Sequence, residues 1–237
     1  MKSVGLFLSL VLIIAVTGCQ PEEVPETKPV SEKEDGEVTG ITIALPEPRL
    51  DGEVSLEQSL LGRRSTRSYT GEPLTLEEVS QLLWAAQGIT NTEGHRTAPS
   101  AGGLYPLELY VVAGDVTGLE PGIYHYLPEH HELALVARGD IRSELSEAAL
   151  SQAWVADGAI SVVMTAVYER TTTKYGDRGI QYVHMEAGHA AQNLCLQATA
   201  LGLGLVTVGA FYVEELVELL NLSEDEEPLY VIPAGRK

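Results

Sequence analysis

The sequence predicts one globular domain of intermixed helices and strands, built around a single buried helix. Three observations carry that expectation. Residues 178–209 (RGIQYVHMEAGHAAQNLCLQATALGLGLVTVG) place Ala187, Ala191, Cys195, Ala198 and Gly202 at intervals of three or four, which aligns small side chains on one helical face. Val183, Met185, Leu194 and Leu201 flank that stripe, so the helix is apolar around most of its circumference and belongs inside the fold. Small side chains also let a second backbone approach closely, such as a copy of the helix in a dimer. Short apolar runs bounded by turn residues recur around it, as strands do. Finally, 237 residues with 44% hydrophobic content can bury one sizeable core without demanding a second domain.

In chain order, 41–45 alternate weakly, as an edge strand does, and 55–61 begin a short helix. Thr75, Leu76, Glu77 and Glu78 form a capping box, and Leu76, Val79, Leu82, Leu83 and Ala86 extend it into an apolar face that ends at Gly88. Residues 89–105 (ITNTEGHRTAPSAGGLY) have neither helical nor strand period, and a polar loop of that length in a compact domain favours function. A strand over 107–113 follows, then a hairpin of 122–127 and 132–137 that turns at Pro128, Glu129, His130 and His131. Asp140 caps a helix through Ala149, and 159–167 (AISVVMTAV) form a buried strand. A second polar loop, 168–177 (YERTTTKYGD), leads into the central helix, which Gly202 and Gly204 terminate. A strand over 205–208, an amphipathic helix over 213–220 and a strand over 229–234 complete the chain.

The first residues lie outside this domain. Lys2 precedes an apolar run over 4–16 that is too short for an ordinary membrane span and is built like a signal peptide. Val16, Thr17, Gly18 and Cys19 resemble a lipobox, whose cysteine becomes the lipidated first residue of the mature chain; a plain secretory signal or a membrane anchor that stays attached is the alternative, and all three place the domain outside the cytoplasm. The expected organisation is therefore a signal peptide over 1–18, a lipidated Cys19 with a disordered acidic tether over 19–50, and the folded domain over 51–237. This places the domain outside the cytoplasm, on a membrane anchor. The tether is plainest at 20–37, where three prolines and seven carboxylates stand among almost nothing apolar. A net charge of −19, from 34 acidic and 15 basic residues, excludes nucleic acid as a partner, because phosphate neutralisation needs a basic surface. Cys19 and Cys195 offer no disulfide framework, and no CxxC, HExxH or paired Cys/His spacing points to a metal.

The chemically unusual stretch is Arg63, Arg64, Ser65, Thr66 and Arg67, which concentrates three of 15 basic residues in a strongly acidic chain. Clustered arginine forks and a serine hydroxyl suit a phosphate; a solvated turn paired with local glutamates is the alternative. Pro99, Ser100, Ala101, Gly102 and Gly103 offer backbone N–H groups to a flat ligand, or form a mobile surface loop. Gly235, Arg236 and Lys237 either complete the phosphate site or are a frayed end. No Rossmann fingerprint is present, since Gly202 and Gly204 follow a helix and lack a third glycine at the required distance. A ligand with one phosphate and a planar part remains, and flavin mononucleotide (FMN) fits that description.

Five of these motifs, in order, resemble the nitroreductase family and in particular its SagB-type branch, which includes azoline dehydrogenases. They are Arg63 to Arg67, Ala98 to Pro106, Lys174-Tyr175-Gly176, Glu186 to Asn193, and Gly235-Arg236. The resemblance runs from about Ser55 to the C-terminus. It implies an α+β, nitroreductase-like fold, with a mixed sheet flanked by helices around the long central helix, and an intertwined homodimer with FMN at its interface. Residue by residue, it implies that Arg63, Arg64, Ser65 and Arg67 contact the ribityl and phosphate groups, with Arg236 as a second phosphate contact. Pro99, Ser100 and Ala101 match the loop that reaches the flavin from the other subunit, and Gly209 and Ala210 the turn whose amides face the ring near N5. Lys174 and Tyr175 match a pair implicated in proton abstraction, and a lysine beside another cation such as Arg178 suits a base. An exported protein does not meet the cytoplasmic NAD(P)H pool. The expectation is therefore a dehydrogenase or oxidase of a small-molecule or peptide-derived substrate, ahead of an NAD(P)H-dependent nitro or quinone reductase or a non-catalytic flavin-binding lipoprotein.

Overall fold

The computed structural model describes Met1 and residues 40–237. Cys19, the signal peptide and most of the tether lie outside the described residues. The elements in chain order are β1 (Thr42–Ala44), α1 (Leu56–Gly62), β2 (Leu74–Thr75), α2 (Leu76–Gln87), a 3₁₀ turn (Ala101–Gly103), β3 (Leu107–Ala113), β4 (Val116–Thr117), β5 (Gly122–Leu127) and β6 (Glu132–Arg138). They continue as α3 (Arg142–Ala148), α4 (Ala153–Asp157), β7 (Ile160–Val167), α5 (Glu169–Tyr175), α6 (Arg178–Ala200), β8 (Leu203–Leu205), α7 (Val213–Leu220) and β9 (Glu226–Arg236).

Seven strands make one sheet in the order β1-β6-β5-β3-β7-β9-β8. Every neighbouring pair in it is antiparallel. Among the described residues, parallel pairing occurs between β2 and β4 and at a single bridge between Ser65 and Leu205, outside the ladders of the seven-stranded sheet, which is antiparallel where the resemblance implies a mixed one. β1 pairs with β6 at the edge of the sheet, so the ordered domain begins ahead of Asp51, by Thr42.

Alternation along the strands divides the core. Leu109 and Val111 of β3 face one way, into a cluster with Leu82 and Leu83 of α2 and Val183, Ala187 and Leu194 of α6. Tyr110 and Val112 face the other way, onto Leu145 of α3, Val155 of α4 and Leu216 of α7. The result is a sheet between two helical layers. Two capping boxes start the helices on the first face: Ser55 with Gln58 opens α1, and Thr75 with Glu78 opens α2.

Several expectations need correction. Residues 169–175 are a helix rather than a loop, although three consecutive threonines are poor helix formers. Packing overrides propensity here: Thr171 is buried, Thr172 Oγ1 bonds back to the Tyr168 carbonyl, and Gly179 lets α6 approach the backbone of α5 at Thr172. The strand after α6 is Leu203–Leu205, and 206–208 leave it except where Val208 bridges Val231. The last strand is longer than 229–234, running Glu226–Arg236. Ile141 rather than Asp140 holds the N-cap position of α3, but Asp140 Oδ1 still accepts from the Arg142 amide that opens the helix, at 3.2 Å, and its carboxylate also clamps the Arg142 guanidinium. The central helix is buried on one face only in the single chain. Ala187, Ala191, Cys195 and Ala198 are enclosed as the small-residue stripe requires, while Ile180 and Met185 stay exposed.

Candidate functional site

The first polar cluster is built where α1 ends. The turn after Gly62 runs beside β8: Thr66 N donates to the Leu205 carbonyl at 2.9 Å, and Ser65 bridges Leu205. This holds Arg64, Ser65 and Arg67 at the surface with Arg63 half-buried. None of the three arginines pairs with a carboxylate among the described residues. Arg64 bonds the Leu61 and Arg63 carbonyls, Arg67 lies 5.6 Å over the Trp154 ring, and Arg63 acts electrostatically on Cys195. The solvated-turn alternative required glutamate partners that these side chains do not have.

Gly204 faces the same segment. A Cβ there would stand 2.5 Å from Thr66 Cγ2 and 3.0 Å from Lys237 Cγ, so the last lysine lies against the arginine turn. Arg236 projects elsewhere: Nη2 donates to Glu78 at 3.0 Å and Nε to the Pro73 carbonyl at 3.2 Å. On the same side, Gln152 Nε2 donates to the Ala210 carbonyl at 3.0 Å, which ties the exposed Gly209–Ala210 turn to the segment carrying Trp154. The amides of Gly209 and Ala210 donate to no group among the described residues. Cations that no carboxylate neutralises, together with N–H donors that have no partner, are what a phosphate-bearing ligand with polar ring edges requires. The residues present therefore fit FMN.

A second cluster forms around the long loop. Ser100 Oγ accepts from Tyr105 N at 2.9 Å and closes the 3₁₀ turn, and Arg170 of α5 donates to the Tyr105 carbonyl at 3.1 Å. Pro99 is exposed, and Ser100 and Ala101 are half-buried. Gly102 has φ +67, and a Cβ on it would stand 2.8 Å from both Lys174 Nζ and Tyr175 Oη. The tips of both side chains thus converge on one glycine. The cations Lys174 and Arg178 lie over Tyr175 and Tyr182, whose rings meet edge to face at 5.2 Å.

Two supporting groups escaped the sequence reading, and a third, Glu186, entered it only as part of a motif and without a role. Glu108 binds Arg170 and, at 2.8 Å, His125; burial raises its carboxyl pKa, but these partners outweigh burial and hold it below the usual range. Arg96 stacks at 4.6 Å on Tyr105 and bonds Gln87 and Glu129. Glu186, 2% exposed on α6, is pushed up to about 7 by burial, against the pull of Ser100, Arg96 and Gln87. An acidic residue in an apolar helical stretch was the available signal for Glu186. Arg170 gave none, because its partners Tyr105 and Glu108 lie far away in sequence, and Arg96 gave none, because its nearer partners Gln87 and Tyr105 stand at the two ends of a loop without period.

The two clusters face different parts of α6: Arg63 acts at Cys195, and the loop meets Glu186 nine residues earlier, about 14 Å along the axis at 1.5 Å per residue. No hydrogen bond, ion pair or ring contact between described residues joins them.

An α+β domain with arginines free of carboxylate partners and free amides at one place, and a lysine-tyrosine pair at a glycine loop at another, has the groups that an enzyme using a phosphate-bearing planar cofactor needs. The Nitroreductase family model matches residues 60–236, and the chain belongs to that family. A Methanocaldococcus jannaschii protein described as a nitroreductase is 49% identical over 198 residues, covering 84% of this chain and 98% of its own. A nitroreductase structure from Ralstonia eutropha superposes with a TM-score of 0.71 at 35% identity, over 82% of this chain and 89% of that one. More distant relatives include the trifolitoxin operon protein TfxC of Rhizobium leguminosarum bv. trifolii, 25% identical over 88% of this chain and 62% of its own. Another is the FMN reductase (NAD(P)H) of Bacillus subtilis, 26% identical over 74% of this chain and 61% of its own. The chain is accordingly a flavin-dependent oxidoreductase with the nitroreductase fold.

Proposed function

We propose that this protein is an FMN-dependent dehydrogenase or oxidase of the SagB type, working as a homodimer on a small-molecule or peptide-derived substrate. We further propose that Cys19 anchors it by lipid to the outer face of a membrane. The observation that carries the enzymatic reading is the convergence of Lys174 Nζ and Tyr175 Oη on Gly102. The likeness to a protein of the trifolitoxin operon supports the same branch.

When bound, FMN accepts the electrons and passes them on. The chain's own residues do the rest. Arg63, Arg64, Ser65 and Arg67 would hold the phosphate and ribityl groups by charge-assisted hydrogen bonds, and the amides of Gly209 and Ala210, which have no partner among the described residues, would donate to the ring edge. Lys174 Nζ is the group placed to take the substrate proton, and Tyr175 Oη orients the same position. Gly102 makes room for both because it has no Cβ. The wide separation of the arginine turn from the loop within one chain supports a site completed by a second subunit, with Pro99, Ser100 and Ala101 contributed across the interface.

The test is the absorption spectrum of the full-length protein in detergent, with FMN assayed after heat release. Flavin bands, FMN in the supernatant and loss of both in Arg63→Ala/Arg67→Ala support the reading; a colourless protein that refuses added FMN overturns it. Lys174→Ala and Tyr175→Phe should keep the flavin and lose substrate-driven bleaching, screened over thiazoline- and oxazoline-containing peptides. The FMN reductase relative favours one other reading, which fast anaerobic bleaching by NAD(P)H would establish. Incorporation of labelled fatty acid that disappears in Cys19→Ser tests the anchor.

A further inference from the structure

Glu186 has Oε1 enclosed without a hydrogen-bond partner, and Gln87 Nε2 of α2 is enclosed in the same way. Burying a carboxyl disfavours its charged form unless neighbours supply charge or donors. The groups facing it are Arg96, whose charge is already divided between Gln87 Oε1 and Glu129, and the neutral Ser100 and Gln87. Ser100 has a further property. Its Oγ already accepts from the Tyr105 amide, so its single hydroxyl proton is left to turn toward Glu186. The turn it closes carries Gly102, on which Lys174 and Tyr175 converge.

From these contacts we propose that Glu186 is a positioning residue, which alternates between an ionised and a proton-bearing form and through Ser100 sets the loop carrying Gly102. Burial pushes the carboxyl up to about 7, so both forms are populated near neutrality. Ionised, Glu186 accepts the Ser100 hydroxyl proton strongly, which polarises the serine oxygen and strengthens the bond it accepts from the Tyr105 amide. Protonated, it accepts that proton only weakly, the serine oxygen is less polarised, and the bond that closes the turn weakens. The proton is exchanged with water, and no electron moves. Only the consequence at the flavin rests on the cofactor reading.

The test uses the full chain freed of FMN, so that it stands apart from activity. Infrared difference spectra across the neutral range should show the carbonyl band of a buried carboxylic acid disappearing with a midpoint near the 7 given by its surroundings, and Glu186→Gln should lack the band. In Ser100→Ala the midpoint should move up, because a donor to the ionised form is lost. Amide exchange at Tyr105 should be faster in Glu186→Gln than in the wild type at alkaline pH. No band, a midpoint near the ordinary glutamate value of about 4.3, an unchanged midpoint in Ser100→Ala, or equal exchange at Tyr105 each overturns the proposal. A protein that titrates as stated yet refuses FMN refutes the cofactor reading and leaves Glu186 its role.

Discussion

Replacing Arg236 by methionine removes a guanidinium that does two separable things. In the structure it anchors the C-terminal strand to the start of α2, through Glu78 at 3.0 Å and the Pro73 carbonyl at 3.2 Å. The side chains are 31% and 16% exposed, so the ion pair is taken at the solvent-screened value of about 1 kcal/mol. The hydrogen bond to Pro73 adds about 1 kcal/mol. Glu72, at 3.9 Å and largely exposed, adds nothing measurable. The expected loss is therefore about 2 kcal/mol, or a Tm lower by about 4–8 °C for a domain of this size. A double-mutant cycle with Glu78→Gln should return about 1 kcal/mol of coupling. If Arg236 also exchanges Glu78 for a phosphate, FMN should bind Arg236→Met at least about tenfold more weakly, while riboflavin, which lacks the phosphate, binds as before. Equal losses for FMN and riboflavin refute the phosphate contact. Additive stabilities in the cycle refute the anchor.

Other perturbations follow from the same geometry. Gly179→Ala should cost about 1–3 kcal/mol in urea unfolding, because its Cβ would meet the backbone of Thr172 at 2.9 Å where α5 packs on α6. Wild-type behaviour there would show that the two helices are not in close contact. Leu194→Ala, at a fully buried site, should cost about 3 kcal/mol by the same assay. The raised pKa of Glu186 contributes stability that is fully present below 4.5 and lost as pH rises through about 7, a difference of about 3 kcal/mol. Glu186→Gln cannot ionise, so its stability relative to wild type should rise by roughly that amount between pH 4.5 and alkaline pH; a pH-independent difference would falsify the burial argument.

Local signals made part of this fold readable. The Thr75–Glu78 box started α2 at the expected residue, and strict apolar runs placed β3, β5 and β7 nearly to the residue. The arginine turn and the glycine loop stood out because their residue types serve no packing purpose. What stayed hidden depends on partners distant in sequence. α5 is a helix because α6 and the Tyr168 carbonyl make it one, against the preference of three threonines. The Arg236–Glu78 pair spans 158 positions, and Arg170 reaches the Tyr105 carbonyl across 65. The exposed face of α6 shows the converse limit: a pattern apolar nearly all round calls for more cover than one chain supplies.

The position of β9 constrains how such a chain can assemble. Among the described residues, β9 follows every other strand in the chain yet lies inside the sheet, between β7 and β8, and β8 reaches the sheet through it. Until residues 226–236 arrive, β7 has an unpaired edge of β-branched and apolar residues, and the turn that carries Arg63 to Arg67 has a strand beside it with nothing to hold that strand in place. Sheet closure and completion of the arginine turn are therefore one event, and a nick or truncation within those final residues should cost the whole fold rather than a frayed end.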